Sequence, residues 1–201
     1  MAEARLDRIF EFLKLAEQLK AVYRSAWLTD GSRRENDAEH MWHMALFALL
    51  FHRELGVEAD LGRTLELILC HDLVEVLAGD CNVYDTAARA AQAEREEAAA
   101  RELFAVLPDD LRDWVDTCWR EFEAAATPEA QFAKAMDRLQ AMAQNCFSGG
   151  EAWRERGITA SRSRAVNRLA WEACPPTEPA FEWVYATARA AGLFAPEEGP
   201  S

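Results

Sequence analysis

Positive charge is scarce in this chain. Lysine and arginine number 22 against 35 acidic residues, and the resulting net charge of −13 has the wrong sign for a broad surface that clamps a nucleic-acid backbone. Cysteine pairs at metal-binding spacing are missing as well. The five cysteines, Cys70, Cys81, Cys118, Cys146 and Cys174, are odd in number, scattered and never arranged CxxC, so neither a disulfide framework nor a structural zinc knuckle is expected. The opening MAEARLDRIFEFLKLAEQLK alternates charged with apolar positions and has no uninterrupted apolar core, which predicts a cytoplasmic protein without a membrane partner. Long runs of alternating β-branched residues are absent too, so no sheet is expected.

What is present is helical periodicity. Ile9, Phe10, Leu13, Ala16 and Leu19, continuing through Lys20 to Tyr23, keep helical spacing, and so do Met44, Leu46, Phe47, Leu50 and Phe51. Further helices are predicted over 61–77, 86–106, 109–124, 128–147, 161–172 and 178–192. The fold class is all-α. With 201 residues, half of them hydrophobic, the chain suits one helical domain with a core over about 5–193 and a frayed tail at 194–201. Breaks fall at TDGSRREND, Gly79–Asp80, Pro108, TPEA, SGGE and CPPTEP, each too short to be a domain linker. The segment AARAAQAEREEAAARELF reads as a solvated amphipathic helix.

CHDLVEVLAGD, residues 70–80, carries four ionisable groups within an apolar stretch. Burying a carboxylate without a partner is costly, so each needs a hydrogen bond, an ion pair or a metal. On one helix, His71, Asp72 and Glu75 share a face and can converge on one site. An imidazole beside a carboxylate suits a divalent cation, but two ligands hold an ion poorly. Others are available in His40, which opens the apolar helix after RREND, and in Asp137, which sits inside FAKAMDRLQAM.

The order His40, His71–Asp72, Asp137 resembles the HD-domain metal-dependent phosphohydrolases. RRENDAEH, HDLVEVLAGD and KAMDRL are most similar to the 5′-deoxynucleotidase-like branch, over about residues 5–190. The resemblance implies that His40, His71, Asp72 and Asp137 bind one divalent ion, with Glu75 and Asp80 at the reacting centre. It also places Arg24, in YRSAW, and Lys134 against a substrate phosphate. CNVYD, after the Gly-Asp pair, departs from the Pro-containing loop of characterised nucleotidases, which bears on substrate more than on chemistry. Relatives of this kind suggest a homodimer. The ligand set suits Mn, Co, Fe, Ni or Zn alike.

The expected reaction is hydrolysis of a phosphomonoester, the 5′-phosphate of a (deoxy)nucleoside monophosphate. Glu75 manages the proton, Asp80 orients water or protonates the leaving alkoxide, Arg24 and Lys134 offset phosphate charge, and Trp27 stacks on base or sugar. His43, one turn from His40, is expected to pack or support rather than ligate. Hydrolysis of another phosphorylated metabolite or a signalling nucleotide would use the same ligands. A di-iron oxygenase on this scaffold needs further histidines, and none of the four lies beyond residue 71.

Overall fold

Thr127 and Pro128 start the helix around which the other elements are arranged. The Thr127 hydroxyl accepts from the Ala130 N–H at 3.2 Å, and Pro128 occupies a first-turn position where its missing N–H costs nothing. In the computed structural model, which describes residues 2–197 apart from the side chains at 2, 86, 87, 89 and 90, this helix is α7 (Pro128–Phe147). Around it pack α2 (Asp37–Leu55), α3 (Leu61–Cys70), α6 (Asp109–Ala124), α9 (Ala160–Ala173) and α10 (Glu178–Ala190). Phe132, Met136 and Leu139 of α7 are fully buried, each contributing about 1.5–3 kcal/mol of hydrophobic stabilisation. The alanines at 130, 133, 135 and 143 leave room for close helix approach.

The remaining helices are α1 (Ala2–Ala16), α4 (Glu75–Ala78), α5 (Thr86–Phe104) and α8 (Glu151–Glu155), with short 3₁₀ helices at Glu17–Ala21 and Pro175–Thr177. A capping box starts α2. The Asn36 side chain accepts from Glu39 N–H at 2.9 Å while the Glu39 carboxylate accepts from Asn36 N–H at 3.2 Å. α5 is solvated on one side only, since Ala99, Ala100, Leu103 and Phe104 are buried in its second half.

Three expectations need correction. The helix predicted over 61–77 is interrupted, because α3 ends at Cys70 and α4 begins at Glu75, with tight turns between. A small antiparallel ribbon joins β1 (Tyr23–Trp27) to β2 (Arg34–Asn36), with Tyr23 opposite Asn36 and Trp27 opposite Arg34. The helical spacing read as far as Tyr23 therefore stops at Ala21. Finally, Phe194–Glu197 is not frayed. Phe194 stacks on Trp153 with centroids 4.3 Å apart, and Ala195 N–H donates to Ile158 O at 3.0 Å. Gly150 permits this docking, since at φ +72° a Cβ there would sit 2.5 Å from the Leu193 carbonyl oxygen. Residues 198–201 of the expected tail lie outside the described residues.

Candidate metal centre

Between α3 and α4 the chain turns tightly enough to aim successive polar side chains at one point. Leu73 N–H donates to Cys70 O at 3.4 Å and Glu75 N–H to Asp72 O at 2.9 Å, so His71–Val74 is wound more tightly than an α-helix. Gly79 then takes φ 73° and ψ 155°, a region essentially closed to other residues, and delivers Asp80 to the same place. From outside this stretch, α2 contributes Asp37 and His40, α7 contributes Asp137 and β1 contributes Arg24. His40, His71, Asp72 and Glu75 are all buried.

His71 Nε2 lies 3.1 Å from Asp72 Oδ2, and His40 Nε2 lies 3.2 Å from Asp137 Oδ1 and 3.9 Å from Asp72 Oδ2. One ligand atom from each of His40, His71 and Asp72 falls within 4.8 Å of the others. The opposite ring nitrogens fix the tautomers. His71 Nδ1 is 2.7 Å from the Ile68 carbonyl and His40 Nδ1 is 2.5 Å from Gln140 Oε1. Both partners only accept, so Nδ1 carries the proton in each ring and Nε2 presents a lone pair. Neither Nε2 has a hydrogen-bond donor. Two buried lone pairs facing two carboxylates repel unless a proton or a cation lies among them, and the converging donors of His40, His71 and Asp72, with Asp137 beside His40, suit a borderline divalent ion.

The ionisation of the cluster follows from the same crowding. Burial disfavours the His71 imidazolium, but the charge of Asp72 and the hydrogen bond that a protonated Nε2 would donate to it outweigh burial and raise the His71 pKa. Burial likewise opposes the Asp72 carboxylate, yet His71 and Arg24 hold its pKa down to about 2. Asp137 is held well below the ordinary range, with His40 and Arg138 overcoming its burial. Glu75 goes the other way. Burial and the charges of Asp72 and Asp37 push it up to about 12, and burial with Asp72 raises Asp37 to about 6. Glu75 Oε2 and Asp37 Oδ2 are buried without a donor, which a proton held on Glu75 and shared with Asp37 relieves. Asp37, Glu75 and Asp80 form a second acidic group with oxygens within 4.8 Å.

Arg24 reaches into this cluster. Its Nη1 lies 3.1 Å from Asp37 Oδ1, 3.0 Å from Asp72 Oδ2 and 3.9 Å from Asp80 Oδ1, while Nη2 is 4.0 Å from Asp137 Oδ1. Arg138 adds a second guanidinium, its Nε 3.6 Å from Asp137 Oδ2. The carboxyl groups outnumber these two cations, leaving the centre anionic. It opens on a cavity of about 260 Å³ lined by Arg24, Glu75, Asp80 and Lys134, with Asn82 and Asn145 among its further walls. Lys134 Nζ donates to Glu123 at 3.0 Å and sits 4.7 Å over the Phe122 ring.

Of the residues singled out in the sequence, His40, His71, Asp72, Asp137, Glu75, Asp80, Arg24 and Lys134 therefore share one site. Trp27 does not. It is absent from the cavity wall, and the Arg34 guanidinium covers its ring at 4.0 Å, so it stacks on a neighbouring side chain rather than facing a ligand. His43 Nδ1 contacts Gln140 Nε2 at 3.1 Å, a supporting position. His52 Nε2 is bonded to Ala59 O at 2.9 Å, and among the described residues neither His43 nor His52 joins a cluster of ligand atoms. Sequence reasoning missed Asp37, Glu35 and Gln140, and also Gln92, which lines the cavity and donates to the Gly79 carbonyl at 3.1 Å. Asp37 lies one helical turn before His40 and Gln140 one turn after Asp137, a spacing that could have marked both.

The sequence pattern of the HD domain family matches residues 16–177. The chain belongs to the HD domain family. Curated relatives include the 5′-deoxynucleotidase HDDC2 of Danio rerio, 32% identical over 140 residues, covering 69% of this chain and 68% of that protein. The protein of the same name from Xenopus laevis is 34% identical over 138 residues, 68% of this chain and 67% of its own length. Among solved structures, a Magnetospirillum magnetotacticum protein described as a predicted metal-dependent phosphohydrolase superposes with a TM-score of 0.85 at 35% identity, covering 96% of this chain and 100% of that one.

Proposed function

We propose that this HD-domain protein is a metal-dependent phosphohydrolase that removes the 5′-phosphate of (deoxy)nucleoside monophosphates. The observation that carries the reading is the pair of buried imidazole Nε2 lone pairs, on His40 and His71, facing Asp72 and Asp137 without a donor between them. The names of the relatives and of the structural neighbour support the same chemistry. His40, His71, Asp72 and Asp137 would hold the ion. When bound there, a divalent ion supplies charge to polarise a phosphoryl oxygen and to acidify water.

The protein's own groups do the rest. Arg24 offers planar N–H donors that match phosphate oxygens, and Lys134 adds a point charge at the cavity wall. Glu75 handles the proton, since it lies beside the ligands and its burial lets it carry one at neutral pH. Asp80, next to Arg24, orients water or assists the leaving alkoxide. A panel of deoxy- and ribonucleoside monophosphates, sugar phosphates and cyclic dinucleotides, each tested with Mn²⁺, Co²⁺ and Zn²⁺, tests the reading. Release of phosphate and nucleoside from the monophosphates is expected. Turnover confined to another class would replace the substrate, and no turnover of any would remove the activity.

The same reading includes a homodimer. Met41–Phe51 contains no Asp, Glu, Lys or Arg, in a chain where 28% of residues are charged. Trp42, Leu46 and Leu50 follow one another at four-residue spacing along α2 and are 66%, 38% and 62% exposed. A face free of formal charge suits pairing with a second copy, whose like net charge would oppose contact elsewhere.

A further inference from the structure

The two candidate ligand imidazoles are supported differently. His71 Nδ1 rests on a main-chain carbonyl, which cannot turn round, whereas His40 Nδ1 rests on the Gln140 amide, which can. Gln140 and His40 are fully buried and Glu35 is 3% exposed, so water does not compete with these contacts. Gln140 Oε1 is 2.5 Å from His40 Nδ1, and its Nε2 is 2.9 Å from Glu35 Oε1 and 3.1 Å from His43 Nδ1. Both N–H donors of the amide are thereby used. A flipped amide would set its oxygen against the Glu35 carboxyl and the His43 lone pair. It would also present an N–H to His40 Nδ1, forcing the His40 proton onto Nε2, the atom facing Asp72 and Asp137.

We propose that Glu35 and Gln140 are positioning residues that set the His40 tautomer: the Glu35 carboxyl orients the Gln140 amide, and the amide keeps the His40 proton on Nδ1, leaving Nε2 free to ligate. The orientation is strictest with Glu35 ionised and acceptor-only; a neutral carboxyl can still accept through its carbonyl oxygen, with His43 Nδ1 accepting the other amide N–H. The inference rests on reading His40 as a metal ligand. Hydrogen bonds of this kind typically change metal affinity about 10–100-fold when removed, by orienting the ring and raising its basicity.

Two-bond ¹H–¹⁵N correlation spectra of the chelated, ¹⁵N-histidine-labelled protein read the tautomer, and calorimetric Zn²⁺ titration reads the affinity. Wild-type His40 is expected to carry a proton on Nδ1, whether or not the facing carboxylates also hold one at Nε2 once the metal is removed. Gln140→Leu and Glu35→Leu should admit the other tautomer and weaken Zn²⁺ binding about 10–100-fold. Glu35→Gln, whose amide carbonyl still accepts from Gln140, should stay close to wild type in both readouts. A wild-type His40 without a proton on Nδ1, or a folded Gln140→Leu with unchanged tautomer and affinity, would overturn the relay. Should a leucine variant fail to fold, the wild-type spectrum and Glu35→Gln still decide. A wild type that binds no divalent ion would instead defeat the ligand reading, while its spectrum would still judge the relay.

Discussion

At the scale of single residues, the ligand and proton-handling roles separate by experiment. Asp137→Ala removes one carboxylate facing His40 Nε2, so bound metal and phosphatase activity should be lost together, as elemental analysis beside an activity assay would show. Full metal occupancy in that variant would refute the ligand assignment. Glu75→Gln should keep its metal but lower turnover about 10²-fold or more, the usual cost of losing a general acid–base group. The same substitution has a signature in the metal-free protein. The Glu75 pKa is raised on folding, so the folded state keeps a proton that the unfolded chain has released. Its contribution to stability is complete below the ordinary glutamate range and is lost as pH rises from there toward about 12. Melting temperatures of chelated wild type should therefore fall between pH 6 and 9, and Glu75→Gln should flatten that slope and melt higher at pH 8. A wild-type slope that Glu75→Gln leaves unchanged would remove Glu75 as its source.

His71, Asp72 and Asp137 were visible in the sequence because charge inside an apolar run demands a partner. Asp37 was not, since an acid in the first turn of a helix also reads as a favourable partner of the helix dipole. Gln140 has no charge to draw notice, and only the fold shows that it touches Glu35, His40 and His43 at once.

At the scale of elements, α7 and α6 were legible to the residue, because a threonine cap and a first-turn proline start α7, Pro108 precedes α6, and apolar spacing runs through both. The break after Cys70 was hidden, because LELILCHDLVEVL keeps helical periodicity straight through it. At the end of α3 the His71 side chain takes up the Ile68 carbonyl and Asp72 pairs with Arg24 from β1, contacts that spacing alone does not encode. The ribbon was missed because YRSAW has neither alternation nor β-branched residues, yet it carries Arg24 into the carboxylate cluster. Gly79 is the hinge of this arrangement. Gly79→Ala meets no side chain, so its cost is the backbone strain alone, about 1–3 kcal/mol. The urea midpoint should fall with unchanged slope, and activity should fall with it as Asp80 is misplaced. An unaltered midpoint would show that the turn relaxes freely.

At the scale of the whole molecule, the proposed pairing of two copies along the charge-free outer stripe of α2 is open to direct test. Sedimentation equilibrium should give a dimer for wild type and a monomer for Leu50→Glu, since a carboxylate at the centre of an apolar interface would be buried without a partner. A wild-type monomer would contradict this.

Phosphomonoester hydrolysis by this protein is proposed to depend on an ion held by His40, His71, Asp72 and Asp137. The most direct test is to add Mn²⁺ stepwise to fully chelated protein while recording bound metal and phosphate release from a deoxynucleoside monophosphate in the same sample. Release should be absent at the start and rise in proportion as the first equivalent binds. Phosphate release by metal-free protein, or a filled site with no release, would contradict the account.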